Sequence, residues 1–277
     1  CHRDGAERPG FQGRVAEMRI CAVQMDVIKG DRKANRAGVQ RMVAEAMEAE
    51  FPPDVIVLPE LWSTGYALDR AGELASPMGG DDAAFLGELA ARYQVAFAGG
   101  SVLSEREGRI YNRAQVISRE GVCTAGYDKI HLFRLMDEDR YLAPGESVLS
   151  FSLGGMRCAS VICYDIRFCE LVRRLAVEGA ELLFVSAEWP LVRREHWETL
   201  LRARAIENQM YIAACNRCGI TEGTAFAGCS MIIAPDGEVL AHAGTAPGTI
   251  CAEVDSALVR RVRQAMPVFD DRVPGLY

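Results

Sequence analysis

Cys163 stands at a junction in the stretch M-R-C-A-S-V-I-C-Y-D-I-R-F-C-E, Met156 to Glu170. The apolar run Ala159 to Ile162 before it has the length and β-branching of a buried strand. Beyond it an amphipathic helix pattern begins at Phe168, Leu171, Val172, Leu175 and Ala176. A cysteine on such a turn sits at the carboxyl end of a strand and near a helix N-terminus, whose dipole favours a thiolate. Most free cysteines are instead small buried hydrophobes, so this one needs partners before it reads as a nucleophile. Glu60 directly follows the short buried strand Asp54–Leu58, and Lys129 follows the strand-like Val122–Tyr127. Singly, a glutamate on a rim and a lysine in a loop carry no signal. Strand ends in layered α/β folds gather into one crevice, and there the three supply what splitting an unactivated amide requires. The sulfur attacks the carbonyl carbon, while the lysine and the backbone N–H of Tyr164 receive the developing oxyanion. The carboxylate takes the thiol proton, hands it to the departing nitrogen and then activates water against the thioester.

Magnitudes rank these roles. Lowering the thiol pKa from about 8.5 to about 6.5 raises the thiolate fraction at pH 7 only about 25-fold. Enzymes commonly need roughly 10⁶-fold or more. Oxyanion stabilisation, about 10²–10³ per donor, and proximity therefore carry most of the acceleration. Lys129→Met, which keeps the bulk and loses the charge, is expected to fold normally and fail to acylate.

The elements that must position these groups follow in order. Residues 1–17 show no period and read as a flexible leader or expression remnant, with the folded domain over 18–277. Arg19–Val27 alternates as a strand, and Asp31 caps a helix through Glu50 with Val39, Met42, Val43, Ala46 and Met47 on one face. A helix over Asp81–Tyr93 and a strand over Val95–Leu103 follow the Asp54–Leu58 strand. Ile110–Ser118 and Val122–Tyr127 flank a hairpin turn. Tyr127–Gly145 is a long charged loop without a pattern, holding Lys129 and Glu138; loops of that length are usually functional. Beyond Cys163 come the buried strand Glu181–Ser186, a helix Arg194–Gln209 and the strand Met210–Ala214. The hairpin Cys229–Ala234 with Val239–His242, the strand Thr249–Val254 and a last helix Asp255–Gln264 complete the chain. Mixed β-α crossovers and hairpins without a composition break predict one layered α/β domain.

Composition sets the bounds. The 277 residues, 49% hydrophobic, are enough for a full core. A net charge of −7 argues against nucleic acid, which wants a basic face. It leaves room for a small anionic substrate, since local fields in a cleft outweigh net charge. No apolar run approaches the roughly 20 residues of a membrane span, and no secretory signal is present. Ten scattered cysteines then read as reduced thiols in the cytoplasm rather than a disulfide framework. Cys215-x-x-Cys218 is a lone pair in a chain with four histidines, so strand-end packing outweighs zinc there. The amide chemistry requires no metal or organic cofactor, and none is signalled.

The stretches V-I-V-L-P-E-L-W-S-T-G-Y, Y-D-K-I-H-L-F and S-V-I-C-Y-D-I-R-F-C-E-L, in that order, closely resemble the three signatures of the nitrilase, or carbon–nitrogen hydrolase, superfamily. The resemblance runs from about Met18 to Tyr277. It implies a four-layer αββα sandwich of two mixed sheets with outer helices, and a Glu-Lys-Cys triad falling on Glu60, Lys129 and Cys163. It also implies a homodimer or higher homo-oligomer formed through the helical layer after the nucleophile. Glu138, in D-E-D-R-Y-L-A-P-G, matches a second glutamate that holds the lysine and orients substrate. Cys169 departs from the proline or small residue of many relatives. Within the superfamily, L-M-D-E-D-R-Y-L, S-A-E-W-P-L, H-W-E-T-L-L-R-A-R-A-I-E-N-Q and P-V-F-D-D look most like the ω-amidases, particularly bacterial ones linked to methionine salvage. The implied substrate is 2-oxoglutaramate or a related ω-amide, hydrolysed with water to the diacid and ammonia.

A small anionic amide needs a cation for its free carboxylate. Arg167 is one candidate, against an ion pair fixing the helix start; Arg134, Arg193 and Arg194 are others. Trp189, Trp62, Tyr66 and Phe133 are candidates for the pocket wall or for the core. A Cys-His protease using His131 or His196 leaves Glu60 and Lys129 idle. Nitriles, N-carbamoyl amino acids and aliphatic amides stay open to the same triad, as does a non-catalytic binding or thiol-sensing scaffold. A glutaminase feeding a synthetase would need a separate partner, because no P-loop is present.

Overall fold

Strands buried on both faces, with alternate residues going to different layers, dictate the architecture of the protein, for which a computed structural model describes residues 17–276. The leader expected over 1–17 lies outside the described residues except for Glu17, which begins the first strand. In chain order the strands are β1 (Glu17–Gln24), β2 (Val55–Val57), β3 (Ser76–Pro77), β4 (Ala96–Arg106) and β5 (Arg109–Ile117). Then come β6 (Cys123–Asp128), β7 (Ser150–Leu153), β8 (Met156–Ile162), β9 (Leu182–Ala187) and β10 (Tyr211–Asn216). The last are β11 (Ile220–Thr221), β12 (Thr224–Ala225), β13 (Met231–Ile233), β14 (Val239–His242) and β15 (Gly248–Asp255). Helices are α1 (Arg32–Met47), α2 (Ala71–Leu74), α3 (Gly80–Tyr93), α4 (Glu138–Tyr141), α5 (Cys169–Val177), α6 (Arg194–Asn208) and α7 (Ser256–Ala265).

One sheet runs β15-β1-β2-β4-β5-β6, with β3 added beside β4; the other runs β14-β13-β10-β9-β8-β7. Parallel pairs form the middle of each, β1–β2–β4 and β8–β9–β10, and antiparallel pairs the flanks. Ile20, Ala22, Val57 and Ala98 of the first sheet pack on Cys158, Leu182, Phe184 and Ala213 of the second. Their neighbours on the same strands point the other way. Cys21, Val23, Ile56 and Phe97 meet α1 and α3 through Val39, Val43, Leu86 and Leu89. Ala159, Val161, Leu183 and Ile212 meet α5 and α6 through Val172, Leu175, Trp197 and Leu201. The period of two thus makes one strand serve two cores, and the result is the four-layer αββα sandwich of two mixed sheets expected from the sequence.

Asp31 caps α1, its side chain accepting from the Ala34 N–H at 3.0 Å, and Asp255 caps α7 through Ala257 at 2.7 Å. Several short elements depart from expectation. The loop Tyr127–Gly145 holds a 3₁₀ turn (Arg134–Met136) and the one-turn helix α4, both too short to leave a period. Strand β7 and the β11–β12 hairpin are likewise too short to read in the sequence.

Candidate active site

Glu60, Lys129 and Cys163 arrive at one point from three strand ends. Glu60 follows β2, and its segment is bolted to β4. The Ser101 hydroxyl accepts from the Leu61 N–H at 2.9 Å, and the Ser101 N–H donates to the Pro59 carbonyl at 3.2 Å. The β4 ladder slips at this place, between Ala98 and Ser101, where Gly100 has φ +84° and a Cβ would lie 2.7 Å from that of Leu58. Only glycine lets the chain pass so close. Lys129 continues β6: its N–H donates to the Asn112 carbonyl at 2.9 Å and its carbonyl accepts from Gly145 at 2.8 Å.

Cys163 ends β8 in the left-handed region, φ +46°, and opens a 3₁₀ turn over Cys163–Arg167. Asp165 pins that turn from inside. One carboxylate oxygen accepts from the Ile162 N–H at 3.0 Å and the Tyr127 hydroxyl at 2.7 Å. The other accepts from the His131 N–H at 3.0 Å and lies 2.8 Å from His131 Nδ1. A buried aspartate thus fastens the cysteine turn to the segment carrying Lys129, and it occupies the imidazole that a Cys-His reading would have used.

The charged groups are sealed from water. Lys129 Nζ lies 2.7 Å from Glu60 Oε1 and 2.7 Å from Glu138 Oε2, with all three side chains 0% exposed. Asn112 bridges the carboxylates, its Nδ2 donating to Glu60 Oε1 at 2.8 Å and Glu138 Oε1 at 3.0 Å. The Tyr66 hydroxyl donates to Glu60 Oε1 at 2.9 Å, and the Glu188 N–H to Glu60 Oε2 at 2.9 Å. Glu138 opens α4 and also accepts from the Phe133 N–H at 2.6 Å. Burial disfavours the lysine charge, but Glu138 and Glu60 outweigh it and the pKa is raised. Burial, opposed by Lys129 and assisted by Glu60, raises Glu138. Burial likewise pushes Glu188 up to about 8, against the guanidinium of Arg217 at 3.5 Å.

The thiol departs from expectation. Burial, then Glu60 and Glu138, push the Cys163 pKa well above the ordinary thiol value, with Lys129 opposing. A resting thiolate favoured by a helix dipole is therefore not what the fold provides. The turn after Cys163 is 3₁₀, α5 starts only at Cys169, and two carboxylates face the sulfur. Burial and the two carboxylates thus favour the neutral thiol.

A narrow cleft beside the sulfur, about 10 Å³ or room for one water, is lined by Phe133, Tyr164, Arg167, Glu188, Trp189 and Arg193. It shares Phe133 and Tyr164 with a wider neighbouring cavity of about 540 Å³. Arg167 makes no ion pair at the helix start among the described residues. Its guanidinium lies over the Trp189 ring at 4.7 Å and 3.2 Å from His196 Nδ1. Arg193 sits near the Phe133 ring, 5.9 Å away. Arg134 and Arg194 are turned to Asp139 and Glu198 instead. Trp62 is core, fully buried against Phe85. Cys169 is exposed, its thiol on Glu170 at 3.4 Å; Cys215 faces the other sheet and donates to the Val23 carbonyl. Sequence reasoning missed Asn112 and Asp165. Asn112 is a buried amide in a strand that also buries Gln115, and no local signal set it apart.

A family model described as carbon–nitrogen hydrolase matches residues 19–264. The chain is 46% identical over 258 residues to a 2-oxoglutaramate amidase of Bacillus subtilis, covering 93% of this chain and 98% of that one. It is 33% identical over 274 residues to an ω-amidase of Homo sapiens, covering 95% and 98%. The fold superposes on a CN-hydrolase superfamily protein from Xanthomonas campestris, solved with an arsenic adduct in its active site. The TM-score is 0.85, with 29% identity over 93% of this chain and 98% of that one.

Proposed function

The chain belongs to the carbon–nitrogen hydrolase family, and from that premise we propose that it hydrolyses 2-oxoglutaramate or a related ω-amide through a thioester on Cys163. The observation that carries the roles is the convergence of a thiol, an ammonium and a carboxylate, with Lys129 Nζ 2.7 Å from Glu60 Oε1 and no water reaching either. Glu60 takes the Cys163 proton as the sulfur attacks the amide carbon, and Lys129 with the Tyr164 N–H balances the oxyanion. Collapse of the tetrahedral intermediate breaks the C–N bond, and Glu60 returns the proton to the leaving ammonia. Water then replaces ammonia, Glu60 accepts its proton, and attack on the thioester releases the acid and the thiol. Glu138 keeps Lys129 charged and in place, a positioning role.

Arg167 and Arg193 beside the sulfur supply cations for the free carboxylate of such a substrate, and Trp189 with Phe133 wall its methylenes. The Bacillus subtilis relative, named for 2-oxoglutaramate, supports that choice among amides. The reading carries with it a cytoplasmic setting, a place in methionine salvage, and a homodimer through α5 and α6, where Val177 and Ile206 are half exposed. No described helix is long and apolar enough to cross a membrane.

Intact mass of protein quenched during turnover tests the chemistry. The acyl increment of the diacid is expected on the wild type and not on Cys163→Ala, which keeps its melting temperature. Ammonia release by Cys163→Ala would end the nucleophile assignment, and nitriles outrunning 2-oxoglutaramate by orders of magnitude would end the substrate assignment.

A further inference from the structure

Away from the amide chemistry, three ligand-bearing side chains from separate elements meet on the outer face of the second sheet. Glu198 lies on α6, Cys229 just before β13 and His242 at the end of β14. Glu198 Oε1 is 3.1 Å from His242 Nε2, and the Cys229 sulfur lies beside both. The three ligand atoms lie within 4.8 Å of one another, and no other group of three His, Cys, Asp or Glu among the described residues offers atoms so close.

The thiol is fixed by its backbone. Cys229 has φ +48°, its N–H donates to the Gly244 carbonyl at 2.9 Å, and its carbonyl accepts from the indole of buried Trp197 at 2.9 Å. We propose that Glu198, Cys229 and His242 form a zinc site with water as the fourth ligand. A tetrahedral zinc with bonds of about 2.0–2.3 Å places its ligand atoms about 3.3–3.6 Å apart. The Glu198–His242 edge is already near that length, so small side-chain rotations close the triangle. Thiolate and imidazole together select zinc over calcium and magnesium, which want oxygens. On ligation the thiol gives its proton to solvent, and thiolate plus carboxylate neutralise the dication. Arg194, 2.9 Å from Glu198 Oε1 and 45% exposed, must swing to solvent. An exposed pair of that kind contributes little. The metal would tie α6 to the edge hairpin β13–β14, joining the helix layer to the sheet at its open end.

Zinc alone is the probe. It is titrated into Cys163→Ala, which removes the active-site thiol as a competing ligand, by calorimetry and by competition with a chromophoric chelator. One equivalent is expected at submicromolar affinity, with a rise in melting temperature. Cys229→Ser and His242→Gln in that background should each weaken binding at least 100-fold and abolish the rise. His242 is exposed, so its variant should fold even if the cysteine variant does not. Cobalt should give a thiolate charge-transfer band that His242→Gln weakens and Cys229→Ser removes. Absence of binding at micromolar zinc, or binding unchanged in both variants, overturns the site. Neither result bears on the amide hydrolysis, which uses other residues.

Discussion

Lys129→Met removes the cation between two buried carboxylates, and its consequences follow from the charges. With Lys129 the group Glu60, Lys129, Glu138 carries a net −1. Without it, two carboxylates that share the Asn112 amide at 2.8 and 3.0 Å cannot both stay ionised away from water. One must take up a proton, which restores −1. Glu138 is already raised by burial, with Lys129 as the opposing influence, and it rises further in the variant. A carboxyl whose folded pKa is raised holds a proton that unfolding releases, so the contribution is present at low pH and lost as pH rises above the unfolded value of about 4.3. At about 1.36 kcal/mol per pH unit, the variant loses at most about 1 kcal/mol by pH 5 and about 3.5–4 kcal/mol by pH 7 relative to low pH. The wild type loses less because Lys129 opposes the rise. The upper figure agrees with the roughly 3–5 kcal/mol for breaking a buried pair. Urea unfolding of both proteins at half-unit steps from pH 5 to 8 reads the slope. Rapid-quench mass spectrometry at pH 5.5, where the variant is folded, reads acylation, which should fall at least about 10³-fold. A stability difference that does not change with pH, or acylation of the variant at the wild-type rate, would refute this account. The variant is thus expected to fold, with a stability margin that narrows as pH rises.

Three further outcomes can be checked. Arg167→Met and Arg193→Met should each raise KM for a carboxylate-bearing amide about 10–100-fold, the loss of one charged hydrogen bond, while a neutral aliphatic amide is unchanged; equal loss on both substrates would show a purely structural role. Asn112→Leu removes the donor shared by Glu60 and Glu138 and should lower kcat about 10-fold or more and stability by about 1–3 kcal/mol, read by steady-state kinetics and urea midpoint. Asp165→Ala strands the buried Ile162 N–H and frees Tyr127 and His131, so stability should fall by about 2–4 kcal/mol and Cys163 should alkylate faster; unchanged alkylation would mean that the turn holds its shape without the carboxylate.

Local rules were enough to place the strand ends. Val-Ile-Val before Glu60 and Val-Ile before Cys163 are short, β-branched and apolar, so they bury wherever they pair, and the polar residue that follows each must sit at a strand's end. Periodicity likewise placed α1, α3 and α6, because one face of each is apolar at helical spacing. What no local rule carries is the depth of a site and the company a residue keeps. The thiol's proton affinity reversed from expectation because its neighbours, Glu60 and Glu138, lie 103 and 25 residues away in the chain and only the packed layers bring them together out of water. Trp62 went to the core against Phe85 and Trp189 to the cleft although both follow buried strands, the Trp62 backbone being held on β4 by the Ser101 carbonyl. Asn112, one amide among the alternating residues of β5, became the bridge between two carboxylates because β5 runs beneath both. The residue types and their order along the chain thus specified the chemistry available; burial, which depends on every layer at once, decided the protonation state in which it is held.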